Sequence, residues 1–391
     1  MVFKLFEKKE EKPLLEDTEE LRYSRQLILK EIGKEGQKKL KAAKVLIIGL
    51  GGLGNIAASY LVGAGIGKIG LLDYDIVDLN NLHRQPLYSK SDIGTKKVLA
   101  AKENLLSINS NIQIETHEIK LTSQNAMQVL QNYDIILDCS DNFPTRYLIN
   151  DTCALLKKPD VYGATLEFDG QASVFYTEKG PCYRCFLAKP PSPREVKSCA
   201  EAGVLGTVPA LIGTLQATEA IKLILGKGDT LVGKLLLFNA FEGKFELANL
   251  KKNTNCALCG RNATIKSLID YEEFCGLKGE KMGSEEIPEI GPSELKQKLD
   301  QGEKIIILDV REDFERAICK FSDSVHIPVG QIMSRYNELD PNSEIVTHCH
   351  RGGRSEYATE FLIEKGFKNV KNLRGGIDAW ANEIDQRMQK Y

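Results

Sequence analysis

The chain has 391 residues, 54 of them acidic and 52 basic, and its formal net charge at pH 7 is -2. This length exceeds what one hydrophobic core usually fills, so we expect two domains. Hydrophobic residues make up 42% and charged residues 27% of the chain, which excludes disordered and fibrous classes. The near-neutral charge gives no electrostatic footprint for nucleic acid. Ten cysteines are too dilute for a disulfide scaffold, so each needs its own explanation.

The N-terminal segment is charged from its fourth residue and lacks an apolar signal core, so we expect a cytoplasmic protein with reduced thiols. One stretch, Val45–Gly67, has no charged residue and is long enough to cross a bilayer. Its first glycines fall close together, which favours a buried strand, a tight turn and a buried helix over a span. We therefore expect no membrane partner.

Residues 17–43 predict two amphipathic helices, Asp17–Lys30 and Gly33–Ala43, and strands then alternate with helices. The predicted elements are strand Lys44–Leu50, helix Asn55–Gly63, strand Ile69–Asp73, helix Lys97–Ile108, strands Ile112–Ile119 and Ile135–Cys139, helix Val208–Leu225, and strands Lys234–Asn239 and Phe245–Ala248. Uninterrupted apolar strands are typical of a parallel sheet covered on both faces. The pattern predicts an α/β fold, a doubly wound and mostly parallel sheet with a Rossmann-like nucleotide site.

A second, smaller α/β domain follows a change in composition. Glycines, prolines and charges dominate from Asn262 to Pro292, which is typical of a linker. The next predicted elements are helix Pro292–Asp300, strands Ile305–Val310 and Glu344–His348, and helix Ser355–Gly366. We therefore divide the chain into a first domain at 1–262, a linker at 263–284 and a second domain at 285–391.

A glycine-rich turn joins the first predicted strand to the next helix. Its glycines are Gly49, Gly51, Gly52 and Gly54. Glycine at such a turn lets a phosphate approach the backbone and sit on the helix N-terminus. Asp73 ends the next strand at the usual distance for holding ribose hydroxyls. These features predict a nucleotide site but suit NAD and ATP equally well.

Three polar stretches near the strand ends favour ATP. They are Asn80–Gln85, with Asn80, Asn81 and Arg84; Asp92–Lys97; and Asp138–Asn142, with Asp141 and Asn142. A dehydrogenase needs an apolar nicotinamide pocket and a proton-transfer group, whereas two cations and an extra carboxylate suit a triphosphate with magnesium. Any one of these charges alone would be read as a surface group.

Residues 20–262 resemble the ubiquitin-activating-like adenylyltransferases of the MoeB and ThiF type, which act on sulfur-carrier proteins. The matching stretches are Arg22-Tyr23-Ser24-Arg25-Gln26, the glycine loop, Leu72-Asp73-Tyr74-Asp75, Asn81-Leu82-His83-Arg84-Gln85, Gly94–Lys97 and Asp138–Asn142. The resemblance implies that Gly52 lines the nucleotide, Asp73 binds ribose, Arg84 and Lys97 hold phosphates, and Asp141 binds magnesium beside Asn142. It also implies that Arg25 reaches into a neighbouring subunit's site, and hence a homodimer.

Four cysteines form two C-x-x-C knuckles about seventy residues apart: Cys182, Cys185, Cys256 and Cys259. Four thiolates suffice for a closed tetrahedral zinc site with no position for water, which would make the metal structural. Disulfides and a thioredoxin-like redox motif are the competing explanations. A reducing cytosol argues against disulfides.

Cys199 lies in the stretch Ser198–Gly203, between a proline-rich segment and the long apolar helix. A cysteine in an exposed loop can act as a nucleophile, although an incidental loop cysteine has the same appearance. In related two-domain enzymes this position bears a thiol that joins transiently to the carrier protein. The resemblance therefore implies covalent catalysis by Cys199.

Cys349 follows the predicted strand Glu344–His348 and opens a loop that ends at Arg354 and Ser355, before a helix. Successive backbone N–H groups, the helix N-terminus and Arg354, which closes the loop, should stabilise a thiolate there. Sulfur transfer and phosphate-ester hydrolysis both use such a loop. Only four residues separate Cys349 from Arg354, which is too tight for phosphate.

Residues 285–391 resemble a rhodanese domain. Its other landmarks are Leu308-Asp309-Val310-Arg311-Glu312, His326-Ile327-Pro328 and Leu373–Trp380. The family usually has a glycine just before the His-Ile-Pro element, where this chain has Ser324-Val325. We expect Asp309 and Arg311 to be structural and Cys349 to carry a sulfane sulfur.

Together the two halves predict ATP-dependent adenylation of the C-terminal glycine of a ubiquitin-like sulfur-carrier protein, followed by sulfur transfer from a Cys349 persulfide. Cys199 would take the acyl group first or resolve an acyl disulfide afterwards. The sulfur donor would be a cysteine desulfurase or thiosulfate. An NAD-dependent oxidoreductase with a redox tail and a non-catalytic docking scaffold are the alternatives. The residues leave open whether the carrier belongs to molybdopterin, thiamine, tRNA-thiolation or other chemistry.

Overall fold

The computed structural model describes residues 17–191, 202–276 and 287–390. The chain divides into two compact units, Met1–Glu280 and Lys281–Tyr391. Each unit has its own sheet and its own hydrophobic core.

The first unit is built on an eight-stranded sheet in the order β3-β2-β1-β4-β5-β6-β7-β8. Its strands are β1 Lys44–Ile48, β2 Lys68–Leu72, β3 Gln113–His117, β4 Ile135–Asp138, β5 Asp160–Leu166, β6 Asp169–Phe175, β7 Lys234–Asn239 and β8 Lys244–Asn249. The first five strands across the sheet run parallel and β6, β7 and β8 are antiparallel. The strand order reverses between β1 and β4, which creates a crevice at their carboxyl ends. The predicted doubly wound, mostly parallel sheet is confirmed.

The helices of the first unit cover both faces of this sheet. They are Asp17–Arg22, Ser24–Leu27, Gly33–Ala42, Gly52–Gly63, Lys97–Ile108, Ala126–Leu130, Phe143–Leu156, Tyr183–Phe186, Thr207–Leu225 and Tyr271–Phe274, with 3-10 turns at Leu79–Asn81 and Lys90–Asp92. The predicted continuous helix Asp17–Lys30 is wrong. The helix breaks at Tyr23, whose ring is buried and whose hydroxyl accepts a hydrogen bond from the Asn109 side chain at 2.9 Å.

Among the described residues, one helix is long and apolar enough to cross a membrane, Thr207–Leu225. The apolar segment of this helix is 61% buried inside the unit, and core helices of soluble proteins can be equally long and apolar. The evidence for a membrane span is therefore weak. The helix packs closely on the helix Gly52–Gly63, since a Cβ at Gly213 would overlap the Leu53 carbonyl. The charge-free stretch Val45–Gly67 forms β1, a turn and that second helix, as predicted.

The second unit is a five-stranded parallel sheet in the order β11-β10-β12-β13-β9. Its strands are β9 Glu289–Ile290, β10 Ile305–Asp309, β11 Val325–His326, β12 Glu344–His348 and β13 Asn369–Leu373. Its helices are Pro292–Asp300, Asp313–Ile318, Ile332–Arg335, Gly353–Glu364 and Gly376–Glu383, with 3-10 turns at Val329–Gln331 and Tyr336–Glu338. The predicted small α/β fold is confirmed.

The predicted linker 263–284 begins too early. Tyr271 is buried in the core of the first unit, and its hydroxyl donates to Asp151 at 2.9 Å. The short helix Tyr271–Phe274 is capped by Asp270, whose carboxylate accepts from two backbone N–H groups. Composition alone did not reveal this segment, because a few apolar residues among charges pack only when a partner surface is present.

Candidate functional site

The glycine turn lies between β1 and the helix Gly52–Gly63, at the crevice where the strand order reverses. Gly49 has a φ of 91°, and a Cβ there would lie 2.7 Å from the Cys139 carbonyl oxygen. A Cβ at Gly54 would overlap the Gly49 carbonyl, and one at Gly52 would lie 2.8 Å from the Pro209 side chain. The nearest atom to a Cβ at Gly51 would be 3.9 Å away, on Gln85. Packing explains three of the glycines, whereas the open face at Gly51 leaves room for a ligand beside the helix N-terminus.

Asp73 follows β2 and braces the glycine turn. One carboxylate oxygen accepts from the Leu50 N–H at 2.7 Å and the other from the Asp75 N–H at 2.8 Å. The residue is 8% exposed, and burial raises its pKa while Lys97 acts in the opposite direction. Each oxygen keeps a further lone pair, so this carboxylate can still accept a ribose hydroxyl.

Lys97 begins the helix Lys97–Ile108, and its ammonium lies 2.9 Å from the Asp75 carboxylate. The lysine side chain is 8% exposed, whereas that of Asp75 is 52% exposed. The structure thus brings the predicted phosphate-binding cation to the end of β2, beside Asp73. Sequence reasoning did not identify Asp75 as its counter-ion, because the two residues are adjacent only in the folded sheet.

Arg84 lies just after the 3-10 turn Leu79–Asn81. Its guanidinium donates to the Asn80 carbonyl at 2.8 Å and lies 2.7 Å from His83 Nε2. Asn81 is buried, and its side chain accepts from the Asp78 N–H at 3.2 Å and donates to Asn80 at 2.6 Å. Asn80 and Asn81 therefore hold the turn that carries Arg84.

Asp141 and Asn142 lie just beyond β4, on the other side of the crevice, and both are exposed. Asn142 caps the helix Phe143–Leu156, since its side-chain oxygen accepts from the Thr145 N–H at 3.0 Å. It also donates to Asp141 at 3.3 Å. This contact leaves Asp141 an accessible carboxylate, which is the type of ligand that magnesium takes in proteins.

A buried cation that sequence reasoning missed lies behind Asp141. Arg146 is 9% exposed, stacks on the rings of Phe143 and Tyr162, and donates to the Ser140 carbonyl. It offsets the charge of Asp138: burial raises the pKa of that carboxyl, and the positive charge of Arg146 acts to lower it. The available signal was an arginine one turn into a helix that follows an acidic strand end.

The four knuckle cysteines converge in the first unit. Their sulfurs lie within 4.8 Å of one another, and the closest pairs are 3.4, 3.6 and 3.8 Å apart. A tetrahedral zinc site with bonds of about 2.3 Å needs sulfurs about 3.8 Å apart, whereas a disulfide needs about 2.05 Å. The arrangement fits a zinc ion and excludes disulfides among the four. The N–H of Asn253 donates to the Cys185 sulfur at 3.4 Å, as is common around metal-bound thiolates.

Inside the first knuckle, Arg184 links the four-cysteine cluster to the rest of the unit. Its guanidinium donates two hydrogen bonds to Asp151, both at 2.8 Å, and stacks on the rings of Tyr147 and Phe274. The second oxygen of Asp151 also accepts from Tyr271. Because Asp151 belongs to the helix that Asn142 caps, the knuckle and the end of the crevice share one rigid element.

The predicted roles of two residues, Cys199 and Arg25, are not tested by the structure. Cys199 lies outside the described residues. Arg25 is exposed on the short helix Ser24–Leu27, next to the exposed side chains of Leu21, Ile28 and Leu29. Its predicted reach into a neighbouring subunit stays a prediction.

In the second unit, Cys349 follows β12 and is 2% exposed. Its sulfur accepts from the Gly352 N–H at 3.1 Å, and Gly352 has a φ of 107°. The N–H groups of Ile377 and Asp378, at the start of the helix Gly376–Glu383, donate to the carbonyls of Cys349 and His350. One backbone N–H thus contacts the sulfur, whereas the sequence predicted successive N–H donors.

Arg354, which was predicted to close the loop, forms a bidentate pair with Glu315. The two nitrogen–oxygen distances are 2.6 and 2.7 Å. Glu315 belongs to the helix Asp313–Ile318, and no local sequence pattern indicated this pairing. The charge of Arg354 is therefore shared with a carboxylate beside the sulfur loop.

Asp309 and Arg311 are structural, as expected. Both side chains are fully buried, and two nitrogens of Arg311 donate to the two oxygens of Asp309 at 2.9 and 2.7 Å. His348 is also fully buried, 3.7 Å from Asp309, and burial lowers its pKa to about 4. Asp309 and His348 end β10 and β12, so this buried cluster lies directly before the Cys349 loop.

Comparisons with known protein families match both units. A model of the ThiF family matches residues 23–258, and a model of the rhodanese-like domain matches residues 291–383. The adenylyltransferase and sulfurtransferase MOCS3 of Culex quinquefasciatus is 41% identical over 396 aligned positions, which cover 96% of this chain and 90% of that protein. The protein of the same name from Aedes aegypti is 42% identical over 393 positions, with the same coverage.

Solved structures match about three fifths of the chain. The crystal structure of E. coli MccB with ATP has a TM-score of 0.55 and 26% identity, and covers 61% of this chain and 74% of MccB. MccB with MccA-N7isoASN gives a TM-score of 0.56 at 26% identity and covers 62% and 75%. PaaA, at 22% identity and a TM-score of 0.50, shares the fold alone.

Proposed function

The chain belongs to the ThiF family, carries a C-terminal rhodanese-like domain and is an adenylyltransferase and sulfurtransferase, and from this premise we propose that its substrate is a ubiquitin-like sulfur-carrier protein. The carrier presents the carboxylate of a C-terminal glycine. ATP activates this carboxylate as an acyl-adenylate, and a Cys349 persulfide supplies the sulfur. The product is a carrier thiocarboxylate of the molybdopterin-synthase or thiamine type.

For adenylation, the triphosphate would lie on the open face at Gly51, with its ribose on Asp73. Arg84 and Lys97 would stabilise negative charge on the phosphates as the glycine carboxylate attacks the α-phosphorus and pyrophosphate leaves. Magnesium, when held by Asp141, would supply further positive charge to the phosphates. Arg25 of a second copy would complete the site, which makes the protein a homodimer. ATP is also present in the related MccB crystal structure.

For sulfur transfer, the terminal sulfur of the Cys349 persulfide attacks the acyl carbon, and AMP leaves with the bonding pair. The resulting acyl disulfide is opened by a second thiol, which bonds to the Cys349 sulfur and releases the thiocarboxylate. Cys199 is our candidate for this thiol, or for an earlier acyl acceptor that precedes the persulfide. A dithiol reductant would then reduce this disulfide and free the Cys349 thiolate, which a cysteine desulfurase or thiosulfate would reload with sulfane sulfur.

The four knuckle cysteines would hold zinc, which contributes a structural crosslink and no step of the reaction. Their thiolates and the Cys349 persulfide both require a reducing compartment, so we propose that the protein is cytoplasmic.

One observation carries this proposal. A glycine turn with Asp73 and Lys97 beside it, and a cysteine whose sulfur accepts a backbone N–H, occur on one chain. An NAD-dependent oxidoreductase would leave Lys97 and Asp141 without a task, and a docking scaffold would not need the Cys349 cradle.

The test is ATP–pyrophosphate exchange with each candidate carrier, followed by mass spectrometry of the carrier C-terminus. We expect exchange with one carrier, and a carrier mass increase of about 16 Da as oxygen is replaced by sulfur. Cys349→Ala should keep the exchange and lose the thiocarboxylate. Exchange with no carrier would refute adenylation, and thiocarboxylate formation by Cys349→Ala would refute the sulfur step.

A further inference from the structure

The sulfur loop appears cationic in the sequence but is electrically balanced in the structure. Between Cys349 and Ser355 it carries His350, Arg351 and Arg354. Arg354 is bound through both terminal nitrogens to Glu315. Arg351 is largely exposed, and its Nε lies 4.0 Å from an Asp378 oxygen. Each arginine of the loop thus has a carboxylate from a different helix.

The Arg354–Glu315 pair is the stronger of the two because it is sheltered and held in place. The side chains of Arg354 and Glu315 are 16% and 7% exposed, so solvent screens the pair little. Glu315 also accepts from the Glu312 N–H at 3.0 Å, which ties its carboxylate to the start of its own helix. A bidentate pair with one partner anchored by the backbone is not easily displaced by a passing anion.

Both charges of this pair act on the residue next to the nucleophile. His350 is half-buried, and burial followed by Arg351 lowers its pKa, with Glu315 acting to raise it and Arg354 to lower it. His350 is therefore neutral near pH 7. Asp378 also acts to raise the pKa of His350, and the formal charges of Arg351, Arg354, Glu315 and Asp378 sum to zero.

We propose that Glu315 is a specificity-determining residue that keeps the sulfur loop balanced and so disfavours dianionic sulfur donors such as thiosulfate. The inference deepens the proposed sulfur transfer by Cys349 and rests on it. Donors whose sulfane sulfur carries no dianionic group do not depend on a cationic loop and are unaffected by the pairing.

The chemistry with thiosulfate shows why the balance matters. The Cys349 thiolate attacks the outer sulfur, the sulfur–sulfur bond of thiosulfate breaks, and sulfite leaves with the bonding pair. Cyanide then attacks the terminal sulfur of the persulfide, which forms thiocyanate and regenerates the thiolate. Negative charge on the leaving sulfite develops beside the loop, where an unpaired guanidinium at Arg354 would stabilise it.

The experiment uses the full chain with thiosulfate and cyanide and measures thiocyanate. For Glu315→Gln we expect kcat/KM for thiosulfate to rise at least about threefold, mainly through a lower KM, because the charge of Arg354 becomes available. Asp313→Asn is the matched control: it removes one carboxylate from the same helix, at a side chain that is 94% exposed and lies 3.5 Å from His326 Nδ1. The double variant Glu315→Gln/Arg354→Gln should return toward the wild-type value. An unchanged or lower kcat/KM in a folded Glu315→Gln protein would overturn the proposal.

A second measurement needs no variant. A balanced loop predicts that wild-type kcat/KM for thiosulfate changes little with KCl concentration, whereas a steep fall in the wild type would reveal an unbalanced cationic loop and overturn the proposal. This arm decides the question if Glu315→Gln does not fold. Cys349→Ala distinguishes failure of the sulfur-transfer function from failure of the role of Glu315. Thiocyanate formation without Cys349 would contradict sulfur transfer by this residue itself.

Discussion

Each unit places a bidentate arginine–carboxylate pair beside its cysteine chemistry, but the two pairs differ in burial and in what they hold. Arg184 and Asp151, at the metal knuckle, are 3% and 0% exposed. Arg354 and Glu315, at the sulfur loop, are 16% and 7% exposed. The first pair is enclosed by the rings of Tyr147 and Phe274, whereas the second borders a loop that must admit substrate.

The cysteines themselves differ in the same way. Four thiols within 4.8 Å of one another cannot all ionise without a cation, so their arrangement suits them to hold a metal ion. Cys349 instead has a backbone N–H as its nearest partner and is suited to be a nucleophile. The neighbouring residues therefore decide whether a cysteine crosslinks or reacts. We expect the enclosed Arg184–Asp151 pair to govern stability and the Arg354–Glu315 pair to govern specificity.

Metal removal is the strongest way to test this contrast. We expect a chelator, or Cys256→Ala, to destabilise the first unit by something on the order of 10 kcal/mol, because the site cannot preform without its ion. Metal content and far-UV circular dichroism in urea measure the loss. Trp380, the only tryptophan of the chain, is buried in the second unit and its fluorescence should keep its own transition. Full stability after metal loss would contradict the structural assignment.

Breaking the enclosed pair should have the next largest effect. Arg184→Met leaves the Asp151 carboxylate buried without its cation, which costs about 3–5 kcal/mol of unfolding free energy. Urea unfolding of the first unit measures this loss. Arg261→Met is the control, since it removes an exposed arginine beside the second knuckle and should change stability by less than about 0.5 kcal/mol. Equal effects of the two variants would show that burial of the pair is unimportant.

The Lys97–Asp75 pair extends the comparison to the nucleotide crevice, because its acid is half exposed. We expect Lys97→Met to lower kcat/KM in ATP–pyrophosphate exchange about 100-fold, with a much smaller stability loss than Arg184→Met. Lys96→Met provides the control, as Lys96 pairs with Glu118 at a site where both side chains are 44% exposed. Loss of stability without loss of exchange in Lys97→Met would place this pair with Arg184 and Asp151.

The smallest effect concerns pH and the buried His348. Its pKa is about 4 in the folded state, below the ordinary value of 6.5, so the unfolded chain binds the proton more readily. Stability from this group is complete above pH 6.5 and falls as the pH drops toward 4, by about 2 kcal/mol between pH 7.5 and 5. Urea titrations of Trp380 fluorescence measure the loss. His348→Asn should remove most of this pH dependence, and an unaltered dependence would refute the assignment.

Several features were predictable because they depend on short spacings. The glycine turn, the two C-x-x-C knuckles and the Cys349 loop each lie within one strand–turn–helix or one knuckle, so a local pattern was enough. Tyr23 and Tyr271 were not predictable in this way. Tyr23 interrupts the predicted helix and Tyr271 packs within the predicted linker, and the buried hydroxyl of each bonds to a residue that is distant in the chain, Asn109 or Asp151.

By itself, the sequence determined the two-domain α/β organisation, the glycine turn after the first strand, the two C-x-x-C knuckles and the position of Cys349 between a strand and a helix. Backbone geometry and local spacing carry those features, and neither depends on distant residues. Only the tertiary structure decided which distant carboxylate faces each of three cations: Asp151 for Arg184, Asp75 for Lys97 and Glu315 for Arg354. Electrostatic interactions depend on distance and burial in space, and the order of residues along the chain specifies neither.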